Sequence, residues 1–111
     1  MRTLYGALCL IALAAPAFAQ TTSRPVNKVA VTVTGTSATK LTANQRQYLA
    51  ILNDSTADTV ACNFGGTAVV NGAGSQTLPP LAGFVWDNGL IPSDAINCIS
   101  SGTSTAVTIL W

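Results

Sequence analysis

Asp54, Asp58, Asp87 and Asp94 are the chain's only side-chain carboxylates, and it has no histidine and no glutamate. General acid–base catalysis usually draws on His, Glu or a tuned Lys. A Ser-His-Asp triad and a His-ligated zinc site are therefore impossible. Two aspartates could in principle hydrolyse a glycoside. Each of the four, however, sits in a turn-like stretch beside Asn, Ser or Thr, where Asp is expected for local hydrogen bonding. The run Asn53-Asp54-Ser55-Thr56-Ala57-Asp58 offers oxygen ligands, but it lacks the Asp-x-Asp-x-Asp-Gly spacing and the bidentate Glu of a calcium loop. The sequence predicts no catalytic centre, no metal site and no cofactor.

Two other groupings carry chemistry. Cys62 and Cys98 lie 36 residues apart without a Cys-x-x-Cys arrangement, the pattern expected of a structural disulfide and not of a redox pair. Trp86 precedes Asp87 and Asn88 at the end of an apolar run. Such a trio could stack on a sugar ring and bond its hydroxyls. The alternative is a Trp that fills one end of a core.

These residues must be held by short elements of β character. Val29, Val31 and Val33 alternate with Ala30, Thr32 and Thr34 before Gly35, the plainest period-two strand in the chain. Residues 41–53 are open to two readings, a helix or a short buried strand over Tyr48–Leu52, and the β surroundings favour the strand. Further strands are expected over 58–64, 67–70, 75–78, 83–86, 95–100 and 105–111. Asn71-Gly72 marks a hairpin and Pro79-Pro80 a break. Seven to eight short antiparallel strands at such spacing predict an all-β fold, a small β-sandwich of jelly-roll-like or Ig-like type.

The N-terminus adds an address. Arg2, an apolar stretch from Leu4 to Pro16 and Ala17-Phe18-Ala19 have the form of a signal peptide over residues 1–19. A flexible leader is expected over 20–28 and a single domain over 29–111. Taking 19 of the 111 residues away leaves 92, enough for one small domain. The expected location is secreted, in the periplasm or outside the cell, where a disulfide persists. Four cations, Arg24, Lys28, Lys40 and Arg46, balance the four aspartates beyond residue 19. Such dispersed charge argues against a nucleic-acid partner and against an anionic membrane surface. No membrane insertion is expected once the signal is removed.

Several stretches together resemble a family of small β-rich proteins of tailed-phage and prophage genomes. The carriers are Ala43-Asn44-Gln45-Arg46-Gln47-Tyr48-Leu49, Asn63-Phe64-Gly65-Gly66-Thr67-Ala68, Trp86-Asp87, and Ile91-Pro92-Ser93-Asp94-Ala95-Ile96-Asn97 with the strand to Trp111. The resemblance spans about residues 29–111. It implies a β-sandwich that decorates or joins a virion, as an oligomer and without enzymatic activity. The expectation is a non-enzymatic secreted protein with a structural, self-association or surface-attachment role. Its partner would be a second copy or a surface. Alternatives are a pilin-like fimbrial subunit, or a carbohydrate-binding module that takes polysaccharide on Trp86.

Overall fold

A computed structural model describes residues 26–87 and 89–111. The signal peptide read over 1–19, most of the leader and Asn88 lie outside the described residues. Eight strands follow one another: β1 (Lys28–Val33), β2 (Ala38–Leu41), β3 (Leu49–Asn53), β4 (Val60–Phe64), β5 (Gln76–Leu78), β6 (Gly83–Trp86), β7 (Ile96–Ser100) and β8 (Thr105–Leu110). They form two four-stranded sheets in the orders β1-β8-β3-β6 and β2-β7-β4-β5. Every pairing is antiparallel. The first strand pairs with the last, the second with the seventh, the third with the sixth and the fourth with the fifth. That nesting is the rolled-up long hairpin of a jelly roll; the seven-strand Ig order does not occur.

Alternation decides which residues the sheets share. Val29, Val31 and Val33 of β1, Val107 and Ile109 of β8, and Leu49 and Ile51 of β3 point inward from the first sheet. Val60, Cys62, Ile96, Cys98 and Leu78 meet them from the second. Cys62 and Cys98 are directly opposite in the β4–β7 ladder, with Cα atoms 4.1 Å apart, and they form the disulfide. The bridge thus lies inside the core and within one sheet. It closes a separation of 36 residues, for which loop entropy gives about 4 kcal/mol.

The ambiguous segment resolves as the strand β3, since Leu49, Ile51 and Asn53 all face the core while β6 and β8 flank both edges. Residues 67–70 do not form the expected strand. There the Ala68 amide donates to Ser37 Oγ and the Val69 amide to Ser75 Oγ, so side chains take the donors that a ladder would need. The unforeseen strand is β2, whose Ala-Thr-Lys-Leu lacks a β-branched apolar run and which forms by pairing with β7 across a bulge between Thr39 and Leu41. Pairing also begins one residue before β1, inside the stretch read as leader: Asn27 and Trp111 exchange both backbone hydrogen bonds, at 2.7 and 3.0 Å.

Asn53 joins the two sheets at one end. It is fully buried, and its Nδ2 donates to the carbonyls of Asp58, Leu78 and Pro79 at 2.8, 3.0 and 3.1 Å. Its Oδ1 accepts from the Ser55 amide. A buried amide that leaves no donor idle stabilises the turn it reaches; the same group unpaired would cost about 1–3 kcal/mol.

Candidate functional site

Two of the four aspartates are occupied with the fold. Asp54 Oδ2 accepts from Thr108 Oγ1 at 2.6 Å, and Asp58 Oδ2 accepts from the buried Thr105 Oγ1 at 3.1 Å. Thr105 in turn meets Ser100 Oγ, whose oxygen takes the Gly102 amide. In the 53–58 loop, Ser55 Oγ accepts the Ala57 and Asp58 amides. The loop oxygens therefore serve their own backbone. No group of three His, Cys, Asp or Glu side chains among the described residues could hold a metal ion.

Trp86 stands at the end of β6, opposite Leu49 and on the inward side of the sheet. Its ring meets Phe64 of the other sheet edge-on, with centroids 5.1 Å apart, and Phe84 at 4.4 Å in a tilted contact. The ring is half-buried and packs on the core, which is the end-filling reading of that residue. Asp87 follows it on the exposed side, and Asn88 lies outside the described residues.

A second set of side chains, not read as a site from sequence, surrounds a cavity of about 350 Å³. One wall is the polar run Asn44, Gln45, Gln47 and Tyr48 ahead of β3; the other is Asn27 with Trp111 at the joined ends of β1 and β8. The run is held by Arg46. This buried guanidinium donates through NH1 to the carbonyls of Pro92 and Asp94, at 2.7 and 3.0 Å, and through NH2 to that of Thr42 at 2.7 Å. The Asn44 amide bonds to the Ser93 carbonyl at 2.9 Å. Burial pulls the Arg46 pKa down, opposed by the nearby charge of Asp94. Its Nε–H alone is buried without a hydrogen-bond partner among the described residues.

With the guanidinium committed to three carbonyls, the wall presents its amides and aromatics. The only sequence signal for this site was the density of amides around Tyr48, which taken alone reads as a solvated loop. Trp86 is not part of the cavity wall.

The two sheets differ in what lies outside them. Over the β2-β7-β4-β5 sheet runs the 65–75 loop, held by Asn97 Nδ2 on the Gly66 carbonyl and Asn63 Nδ2 on the Thr67 carbonyl. Beneath it Ala61 is buried, as is Ala68 of the loop itself. The β1-β8-β3-β6 sheet turns Ala30, Ala106, Leu110, Ala50, Leu52 and Val85 outward. Around β6 the exposure is unusual: Val85 is 50% exposed, Leu81 68% and Leu90 98%.

No family model, curated protein or solved structure matches the chain. No helix among the described residues is long and apolar enough to cross a membrane.

Proposed function

We propose that this is a non-enzymatic structural subunit, secreted and disulfide-bonded, that assembles with further copies of itself through the β6 side of the β1-β8-β3-β6 sheet. The observation that carries the reading is the coincidence of an open strand edge with apolar side chains. Among the described residues β6 has a single neighbour, β3, and Gly83-Phe84-Val85-Trp86 contains no charge. Edge strands are normally blunted by Lys, Pro, bulges or shortness. Here the flanks add exposed Leu81 and Leu90 instead.

Leu81 strengthens the point. Its φ is 60°, a left-handed backbone that costs a β-carbon residue about 1 kcal/mol. Being 68% exposed, it recovers little by burial. A strained and solvated leucine makes sense as a contact for a partner.

Support for the absence of catalysis comes from the lack of His and Glu and from the engagement of Asp54 and Asp58 by threonines. The signal-like residues 1–19 and the buried bridge support a location in the periplasm or outside the cell. Viral capsid and lectin domains use the same strand architecture. That fold-level analogy agrees with the resemblance of residues 29–111 to virion-associated proteins of tailed phages.

Sedimentation equilibrium of the oxidised protein without residues 1–19 tests assembly. The expected result is an oligomer that Val85→Lys dissociates, with an association constant lowered at least about tenfold, or about 1.4 kcal/mol. Ala73→Lys, on the loop over the other sheet, should leave assembly unchanged. A strict monomer at all concentrations would end the proposal.

A further inference from the structure

We infer that the cavity between the 44–48 run and the β1–β8 terminus is a binding site for a neutral saccharide. This goes beyond self-assembly and rests on other residues. Three observations fix the ligand class. The volume, about 350 Å³, falls at the small end of the range for small-molecule sites. Its wall combines two aromatic side chains, Tyr48 and Trp111, with the amides of Asn27, Asn44, Gln45 and Gln47. And these four exposed side-chain amides have no hydrogen-bond partner among the described residues, whereas Asn53, Asn63 and Asn97 each hold backbone carbonyls.

An amide side chain donates and accepts at once, which is what a ring of hydroxyls asks of its partners. An aromatic face suits the C–H side of a pyranose, as it suits any group with one apolar and one polar aspect. The wall has no carboxylate side chain to draw a cation. Its one guanidinium, Arg46, is spent on the carbonyls of Thr42, Pro92 and Asp94 and is buried, so an anion finds no free counter-charge. With no Asp or Glu and no free guanidinium among the lining side chains, the wall favours a neutral, hydroxyl-rich ligand.

Arg46 also explains why the site is preformed. By tying Thr42 to Pro92 and Asp94 it fixes the segment from which Asn44, Gln45 and Gln47 project. The paired backbones of Asn27 and Trp111 fix the opposite wall. Less ordering is then left for the ligand to impose.

The test is calorimetric titration of the oxidised protein with maltotriose, cellotriose and chitotriose, with sialyllactose as the anionic probe. At least one neutral probe should bind with a Kd of about a millimolar or tighter. Trp111→Ala should abolish that binding. The double variant Asn44→Ala/Gln47→Ala, which alters only exposed side chains and so keeps the fold, should weaken it at least tenfold. Val85→Lys should leave it intact, so that loss of assembly and loss of sugar binding are read separately. Failure of all three neutral probes at about ten millimolar, retention of affinity in the double amide variant, or binding of sialyllactose alone would overturn the assignment.

Discussion

The two sheets share a core and differ in how each meets the outside. The β2-β7-β4-β5 sheet is closed off by devices that suppress pairing. Its edge strand β2 is bulged and carries Lys40, whereas β6, of the same four-residue length, pairs without a bulge and has no charge. Its other edge, β5, has three residues and runs into Pro79-Pro80. The 65–75 loop covers its outer face. The β1-β8-β3-β6 sheet has no comparable loop hydrogen-bonded across its outer face among the described residues, although Ala50 at its centre is buried. β1 pairs in unbroken register over six residues with Lys28 as its single charge, and β6 has no charge. Selection for stability and solubility alone would treat both sheets alike. On the proposed assembly, the bare sheet is the working surface and the covered one its support.

The largest effect that would sharpen this contrast is in the supporting sheet. Replacing Cys62 and Cys98 by Ala should lower unfolding free energy by about 4 kcal/mol, measured by urea denaturation against the oxidised protein. The loop-entropy part acts on the unfolded chain and is common to the whole domain, whereas the lost packing is local to β4 and β7, where the pair lies. Sparse loss of hydrogen-exchange protection in β1 and β8 under native conditions, against heavy loss in β4 and β7, is the expected pattern. Uniform loss would mean that the sheets open as one unit and that the division between them is only skin-deep.

Next in size is Trp86→Ala. Its ring closes the core between Phe64 and Phe84 at the edge of the bare sheet, and truncation should cost about 3 kcal/mol. Lysine at Val85, one residue away on the opposite side of the strand, should change monomer stability by less than about 0.5 kcal/mol. Thermal unfolding of the two variants side by side measures how sharply β6 divides core from surface. Equal losses would mean that Val85 is also part of the core.

How much of this was legible in sequence follows from where each signal resides. β1 announces itself because Val29, Val31 and Val33 are β-branched and alternate with small or polar residues. The disulfide was legible for a different reason: of the three cysteines, Cys9 falls within the signal-like residues 1–19, and the two that remain admit a single pairing. β2 was not, because Ala38-Thr39-Lys40-Leu41 has no strand character of its own and takes it from β7. Thr67–Val70 misled in the opposite sense: β-favouring residues are present, but Ser37 and Ser75 satisfy the amides of Ala68 and Val69. The choice between the jelly-roll and Ig orders lay in long-range pairing, which no local pattern encodes. The cavity failed for the same reason. Its walls come from residue 27, residues 44–48 and residue 111, and they meet through strand pairing and the Arg46 clamp.

The smallest expected effect is also the most discriminating, because its two readouts should move in opposite directions. Leu81 occupies the third position of the turn Pro79–Ala82, closed by the Ala82 amide on the Pro79 carbonyl at 3.0 Å. A positive φ there suits glycine. Leu81→Gly relieves the left-handed strain at a cost in unfolded-chain entropy of similar size. Monomer stability should therefore stay level or rise by up to about 1 kcal/mol, read from urea denaturation at a concentration where the Val85→Lys protein is monomeric. Association, read by sedimentation, should weaken. A protein that becomes no less stable but assembles less well has lost a contact that served the partner and not the fold. If instead stability fell while assembly held, Leu81 would be a packing residue of its own domain, and the contrast between a bare and a covered sheet would lose its best-placed witness.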